Sequence, residues 1–178
     1  MWICFFTLFQ NHVHRFTNPS TNDKIDDSAI IHPSAIIGVD GIKISVYEGR
    51  KILFKHTGNV VIEECVDIGA NVVIHRARLD STVIRKGTIV GALTNVAHNV
   101  IIGGDCIFTA CVSVGGSVKI GNNCWFGMGS LIRNGVSICD NVVIGMGAVV
   151  VKDIDKPGFY VGNPAKFLKD FKQGERGF

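Results

Sequence analysis

The sequence predicts an all-β fold in which short parallel strands stack as the three faces of a prism. Large apolar residues recur every six positions along much of the chain. This period matches neither the 3.6-residue repeat of a helix nor the two-residue repeat of a plain strand. The composition agrees, because 21 glycines in 178 residues and an aromatic content of only 8% are typical of folds rich in tight turns.

The repeat is unbroken over twelve consecutive positions, which hold Ile84, Val90, Val96, Ile102, Phe108, Val114, Ile120, Phe126, Ile132, Ile138, Ile144 and Val150. One strand and one turn per hexad, with three hexads per coil, place residues eighteen apart above one another at the strand spacing of about 4.8 Å. We therefore expect three interior columns, which begin at Ile84, Val90 and Val96. Gly or Asn at the corners is expected to supply the unusual backbone angles of the turns.

The repeat continues upstream with two interruptions. The same phase appears at Ile31, Ile37, Ile62, Ile68 and Ile74. Four extra residues fall within the segment HRARLDSTV (75–83), and a longer insertion occupies 38–59. A stacked coil tolerates insertions only at its corners, where they become loops that often carry function.

Three segments are predicted along the chain: an N-terminal apolar segment with a linker (1–28), the β-helix (29–155), and a loop with a short C-terminal helix (156–178). The mostly apolar segment Met1–Phe9 (MWICFFTLF) is too short at nine residues to span a bilayer, and it lacks the features of a signal peptide. We expect them to pack on the body or on another subunit, with a membrane-surface contact as the alternative.

Charge and cysteine content exclude several classes of protein. A net charge of +3 is too small to require nucleic acid as a partner. Six cysteines without a CxxC spacing do not form a disulfide scaffold and indicate reduced thiols in the cytoplasm. Cys106 and Cys124 are eighteen apart at the small inward position, so they are predicted to stack in the core.

His98 is the strongest candidate for chemistry. It lies two places after the core residue Val96, so it belongs to a corner and its side chain is expected to point outward. Steps of eighteen from His98 reach Gly116, Asn134 and Lys152, which predicts a groove along the prism with an imidazole at one end and a lysine about 14 Å away. A corner histidine with no function is the alternative, because such matches carry false positives.

The other histidines are weaker candidates. His12 and His14 lie in the polar N-terminal stretch, and His32 is a corner residue. His56 lies in the insertion and His75 at the four-residue bulge, so either could reach a substrate. We expect no metal site, because the close histidine pair of the zinc enzymes that share this repeat is missing.

Four motifs resemble the hexapeptide acyltransferases, and most closely the UDP-3-O-acylglucosamine N-acyltransferases of lipid A synthesis. They are VDIGANVVIHRARLDSTVI, VAHNVIIG, VGGSVKIG and GFYVGNPAK. The resemblance implies a left-handed β-helix, a homotrimer, and His98 as the catalytic base. It also implies that Gly162, Asn163 and Lys166 border the donor site together with the column of Gly116, Asn134 and Lys152.

The resemblance also implies the substrates. We expect an acetyl or short acyl group to move from acetyl-CoA or an acyl carrier protein to a nucleotide-linked amino sugar, with no permanently bound cofactor. The acceptor is expected at the bulge, beside His75, Arg76 and Asp80. Two family residues, an asparagine and a second histidine, are replaced by Ala92 and Gly135, which argues against a long acyl chain.

The expected mechanism is direct attack by the amine on the thioester. His98 accepts the proton, because a neutral imidazole is suited to this at cytoplasmic pH. The N–H of Gly116 is a candidate for stabilising the oxyanion, and Asp80 or an acid of a neighbouring subunit is a candidate for orienting the ring. An O-acetyltransferase (serine, galactoside or antibiotic type) and an inactive trimeric scaffold remain the alternatives.

Overall fold

The structure, a computed structural model, describes residues 16–17 and 22–171. Within these residues every regular element is a β-strand, and three parallel sheets form the faces of a solenoid of about six turns. The predicted all-β prism is confirmed. The apolar segment 1–9, His12, His14 and the tail 172–178 lie outside the described residues, so the expectations for them stay predictions.

Most strands are only two residues long. In chain order they are β1 (Phe16–Thr17), β2 (Lys24–Ile25), β3 (Ile30–Ile31), β4 (Ile36–Val39), β5 (Ile44–Tyr47), β6 (Arg50–Leu53), β7 (Asn59–Ile62), β8 (Asp67–Ile68), β9 (Val73–His75), β10 (Ser81–Ile84), β11 (Ile89–Val90), β12 (Asn95–Val96), β13 (Ile101–Ile102), β14 (Ile107–Phe108), β15 (Ser113–Val114), β16 (Lys119–Ile120), β17 (Trp125–Phe126), β18 (Leu131–Ile132), β19 (Ser137–Ile138), β20 (Val142–Ile144), β21 (Val149–Val150), β22 (Gly158–Val161) and β23 (Lys166–Lys169).

The chain visits the three faces in a fixed order. Sheet A stacks β1, β4, β9, β12, β15, β18 and β21; sheet B stacks β2, β7, β10, β13, β16 and β19; sheet C stacks β3, β8, β11, β14, β17, β20 and β22. Each coil passes from sheet A to sheet B to sheet C, so each strand bonds to the strands of the coils before and after it. The hairpin β5–β6 stands outside the three faces.

The strand register confirms the three predicted interior columns. Partners eighteen apart stack as Ile84/Ile102/Ile120/Ile138, as Val90/Phe108/Phe126/Ile144 and as Val96/Val114/Ile132/Val150. All twelve side chains are at most 4% exposed, and the rings of Phe108 and Phe126 stack with centroids 4.5 Å apart. Cys106 and Cys124 are buried beside these columns, as predicted.

The glycine directly after a core residue is required by space rather than by backbone angle. A Cβ on Gly91 would lie 1.3 Å from the carbonyl oxygen of Thr109 in the next coil. The left-handed backbone instead falls three places after the core residue, where φ is 60° at both Leu93 and Asn99 and 74° at Gly135. The prediction that glycine supplies the unusual backbone angle of the turn is therefore wrong at Gly91 and correct at Gly135.

Both interruptions of the repeat leave the solenoid at the corner between sheets A and B. The insertion connects β4 to β7, and a loop at 76–80 connects β9 to β10. The backbone amides of residues 57–59 donate to the carbonyl oxygens of Ala77, Arg78 and Asp80, each at 3.0 Å. The insertion therefore returns along the bulge, and the two loops form one structure.

The strand stacks begin earlier than the boundary predicted at residue 29. Strand β2 (Lys24–Ile25) pairs with β7 in sheet B, and β1 (Phe16–Thr17) pairs with β4 in sheet A. A two-residue strand contributes one inward side chain, here the half-buried Ile25. One apolar residue in a polar stretch leaves no periodic signal, which is why the segment resembles a linker.

The short C-terminal helix is a wrong prediction for residues 156–171. Strand β22 adds to sheet C, and β23 then turns back antiparallel to it. The ring of Phe167 packs perpendicular to that of Tyr160, with centroids 5.6 Å apart, and Nζ of Lys156 lies 4.1 Å from the centroid of Phe167. The open edge of β22 supplies backbone partners that a helix would leave unused.

Replacing a stacked core ring should destabilise the whole solenoid. We expect Phe126→Ala to lower the free energy of unfolding by about 3–5 kcal/mol, because the fully buried ring leaves a cavity between two coils. The matched control is Met146→Ala on a side chain that is 74% exposed, expected to change stability by about 0.5 kcal/mol or less. Urea unfolding at one protein concentration measures both, and equal losses for the two variants would contradict this packing.

Candidate active site

His98 occupies the corner between β12 of sheet A and β13 of sheet B, and its half-buried ring lies against the backbone of the next coil. A Cβ at Gly116 would approach Cε1 of His98 to 2.7 Å and Nε2 to 2.8 Å. The backbone of the two coils is held in register by the Ser117 amide, which donates to the carbonyl of His98 at 2.9 Å. The room left by the missing side chain of Gly116 is thus filled by the imidazole.

The side chain of Asn99 determines which nitrogen of His98 carries the proton. Its Nδ2 donates to the carbonyl of Leu79 at 2.8 Å, and its Oδ1 accepts the amide of Arg78 at 2.9 Å. The same Oδ1 lies 3.1 Å from Nδ1 of His98. Because that oxygen can only accept, Nδ1 must be the N–H of the neutral ring, and Nε2 keeps the free lone pair.

The surroundings of His98 favour its neutral form. Burial lowers the pKa of the imidazole below its usual value of 6.5, and the charges of Arg78, His56 and His75 lower it further, while the bond to Asn99 acts in the opposite direction. No described residue hydrogen-bonds to Nε2. An unprotonated and unpartnered nitrogen at the mouth of a corner is what a general base requires.

The residue packed against the His98 ring has a free backbone donor. Gly116, whose Cβ position lies against that ring, has an amide with no hydrogen-bond acceptor among the described residues. At the corresponding corner between sheets B and C, the Gly104 amide is occupied instead, because Oδ1 of Asn122 accepts from it at 2.8 Å. Within residues 22–171, the Gly116 amide is therefore available to a ligand at the corner that carries the base.

The two loops of this corner are joined by an ion pair between buried Arg76 and half-buried Asp40. The guanidinium of Arg76, which is 5% exposed, binds the carboxylate of Asp40 from the insertion. His75 bridges the same loops, with Nδ1 3.2 Å from the carbonyl of Asp40 and Nε2 3.0 Å from Oδ1 of Asn95. The guanidinium of Arg76 is therefore already paired within the protein. Its burial limits direct contact with an acceptor substrate.

The structure does not bring Asp80 to the base. Its side chain is exposed, and its carboxylate has no hydrogen bond or ion pair to any of the residues at 22–171. The contact to Nδ1 of His98 is made by Asn99 instead. Asp80 has φ of 63° and offers its backbone carbonyl to the insertion, so within this chain it shapes the loop rather than orienting the imidazole.

His56 is the residue at this corner that the sequence motifs did not single out. It is fully buried, and its ring lies perpendicular to that of His98 with centroids 5.2 Å apart. The amide of Gly41 donates to its Nδ1 at 3.2 Å, and the carbonyl of Arg76 lies 3.3 Å from the same atom. The one sequence signal for the contact between His56 and His98 is that His56 lies in the insertion, which leaves the solenoid at the same corner as His98.

The residues predicted for the donor lie in the later coils of the solenoid. Exposed Asn134 and Lys152 follow β18 and β21, two and three coils beyond His98. The loop with Gly162 and Asn163 joins β22 to β23, which begins at Lys166, and it is fastened to the start of β21, because the Val149 amide donates to the Gly162 carbonyl at 3.0 Å. The fold therefore aligns Asn134 and Lys152 with the corner of His98, whereas the loop of Gly162 and Asn163 bonds to the opposite end of β21.

Other sites are not indicated elsewhere in residues 22–171. A surface groove of about 640 Å³ is lined by residues 23–26 and 61–64, and none of the predicted site residues lines it. No group of three or more histidine, cysteine or acidic side chains that could hold a metal ion occurs in this part of the chain. Nor does this part contain a helix of the length and apolarity needed to cross a bilayer.

Comparison with protein families and sequences identifies the repeat. Residues 117–152 match the family described as bacterial transferase hexapeptide (six repeats). A UDP-3-O-acylglucosamine N-acyltransferase of Methylococcus capsulatus is 35% identical over 149 residues, which are 83% of this chain and 42% of that protein. One from Coxiella burnetii is 41% identical over 89 residues, 49% of this chain and 26% of that protein. The chain spans less than half the length of these relatives.

Solved structures agree on the fold. A UDP-N-acetylglucosamine acyltransferase from Bacteroides fragilis aligns with a TM-score of 0.73 at 21% identity, over 82% of this chain and 55% of that one. The UDP-N-acetylglucosamine O-acyltransferase of Moraxella catarrhalis aligns with a TM-score of 0.65 at 22% identity, over 90% and 76%. The architecture is the left-handed β-helix of these enzymes.

The protonation state of His98 can be measured directly. We expect its titration midpoint in ¹⁵N-labelled protein to lie below the usual 6.5, with the proton of the neutral ring on Nδ1. Asn99→Ala removes the acceptor, so it should lower the midpoint further and release the preference for Nδ1. A midpoint at or above 6.5, or a neutral ring protonated on Nε2, would contradict the geometry of this corner.

Proposed function

We propose that this hexapeptide-repeat chain, a left-handed β-helix like the acyltransferases it resembles, transfers an acyl group from a thioester to the amino group of a nucleotide-linked sugar. The observation that carries the proposal is the free Nε2 of His98, whose lone pair is assigned by Asn99, on a ring packed against Gly116, a residue whose amide has no acceptor among the described residues. The similarity to UDP-3-O-acylglucosamine N-acyltransferases over 83% of this chain supports the choice of substrates.

In the proposed reaction the amine attacks the thioester carbonyl directly. As the C–N bond forms, Nε2 of His98 takes a proton from the nitrogen, and the Gly116 amide donates to the developing oxyanion. The C–S bond then breaks, and the imidazolium returns the proton to the leaving thiolate. The products are an amide and a thiol, with no acyl-enzyme and no net proton gained by the protein.

The two substrates would approach the base from opposite directions along the corner. The acceptor meets the bulge that carries His75, Arg76 and Asp80, with buried Arg76 holding the loop through Asp40. The donor lies along the later coils, where exposed Lys152 and Lys166 provide positive charge for the phosphates of a pantetheine carrier. This division follows from the order in which the coils stack the two groups of residues.

The donor is acetyl-CoA or the thioester of an acyl carrier protein, used as a co-substrate with no permanently bound cofactor. Proteins of this repeat family are typically trimers, so we place the working enzyme as a homotrimer in the cytoplasm. Strands of two residues leave many outward side chains, such as Ile89 and Leu131, exposed on the faces of one copy. Such flat faces are suited to contact with another copy.

Loss of the base should abolish turnover without unfolding the protein. We expect His98→Ala to lower kcat roughly 100-fold or more, because no other group is placed to accept the proton. Thiol release is followed with acetyl-CoA, and with an acyl carrier protein thioester, against a panel of UDP-linked amino sugars. Circular dichroism and sedimentation check that the variant keeps its fold and its assembly.

The same assay separates the proposed activity from its rivals. Release only with amino acceptors supports N-acyl transfer, whereas release with hydroxyl acceptors would favour an O-acetyltransferase. No release with any donor would point to a scaffold. Near-normal turnover of His98→Ala would remove His98 from the mechanism.

A methyl group at Gly116 tests the space beneath the ring. Gly116→Ala should lower kcat about tenfold or more, because the new Cβ collides with Cε1 and Nε2 of His98 and displaces the base. Gly104→Ala is the matched control at an equivalent corner, where a Cβ meets nothing closer than 3.3 Å. Comparable losses in both variants would mean that the corner backbone, and not the imidazole, is affected.

A further inference from the structure

The insertion at 38–59 is exposed without interruption from residue 42 to residue 55, and the next residue, His56, carries a buried imidazole. Its hairpin strands β5 and β6 are exposed at every residue. His56 is the single buried side chain of this insertion, all of which the structure describes. A polar ring buried directly after fourteen exposed residues calls for a physical reason.

The buried ring is incompletely satisfied by hydrogen bonds. Nδ1 of His56 faces both the amide of Gly41 and the carbonyl of Arg76. Nε2 has no partner in residues 22–171, although it is inaccessible to solvent. Leaving a buried polar atom unpaired is unfavourable, so an apolar ring would fill this space at lower cost if packing were the only requirement.

The ring of His56 is in contact with the proposed base. The two imidazoles meet edge to face at 5.2 Å, which is a favourable arrangement for aromatic rings. Gly41 completes the contact, because a Cβ at this position would lie 2.8 Å from Cε1 of His56 and 3.1 Å from Cδ2 of His98. The insertion therefore packs against the ring of His98 through His56 and Gly41.

We propose that His56 is a positioning residue for His98: the insertion uses its buried ring, seated by Gly41 and the Arg76 carbonyl, to hold the base against Gly116. This inference rests on the proposed function of His98 and adds a role for the insertion. On one side the ring is limited by the Gly116 backbone, and on another by His56. Asn99 controls the remaining rotation through Nδ1.

Removal of the ring should change both the alignment and the titration of His98. In His56→Ala, water enters beside the base and a neighbouring charge is lost, so the pKa of His98 should rise; Arg78 and His75 are the other charged or titratable groups that lower it. The acid limb of kcat/KM then moves to higher pH. We expect kcat to fall about tenfold or more through misalignment, with the KM for the sugar little changed.

Two further variants keep the test decisive if His56→Ala fails to fold. His56→Phe retains a ring of similar shape, so it should keep most of kcat and shift the His98 titration less. Gly41→Ala retains both histidine side chains but inserts a methyl group between their rings. It should therefore lower kcat as His56→Ala does. His32→Ala is the control for altered histidine content, because His32 is exposed and its ring is bonded only to Ser34 among the described residues.

The readouts are an NMR titration of His98 in the folded variants and pH profiles of kcat and KM. An unchanged titration and unchanged kcat in folded His56→Ala or Gly41→Ala would overturn the proposal. A shifted titration with unchanged kcat would also overturn it, since the contact would then have no effect on the reaction. If His98→Ala stays active, His98 is not the base of the reaction. The NMR titration of His98 in the His56 variants then still shows whether His56 positions its ring.

Discussion

The spacing between successive coils is the constraint on which the rest of the structure depends. Every coil bonds to the next through its backbone, as when the amide of Gly91 donates to the carbonyl of Phe108 at 2.7 Å. The approach is so close that a Cβ at Gly91 would overlap the Thr109 carbonyl. Because the backbone itself defines the positions of the corners, it also determines that Gly116 is the residue of the next coil beside His98.

Side chains that could act on a ligand are confined to the corners for the same reason. An inward side chain is buried in the apolar columns, and an outward side chain in the middle of a strand has neighbours only from the same flat face. At the corner between sheets A and B, successive coils instead contribute an insertion, a bulge, His98 and the bare backbone of Gly116. Both irregular loops, their polar side chains and the free amide of Gly116 therefore lie along this one corner of the solenoid.

The polar cluster at this edge stays ordered because its members come from different coils. Asp40 and Arg76 are 36 residues apart in sequence, yet they form an ion pair on the inner side of the two loops. Loss of Asp40 would leave the buried guanidinium of Arg76 without its partner, which is costly in free energy, so the pair ties the insertion firmly to the bulge. That tie carries His56 to the side of the base and gives the exposed hairpin a fixed anchor.

The six-residue periodicity by itself determined the prism, the three columns and the corner position of His98, because each follows from counting residues along a uniform repeat. Interrupted stretches carry no such count. Strand β2, the hairpin of β22 and β23, and the meeting of His56 with His98 depend on contacts between residues far apart in sequence. Only the tertiary structure decided them, since a two-residue strand or a loop is stabilised by the neighbour it meets and not by its own pattern.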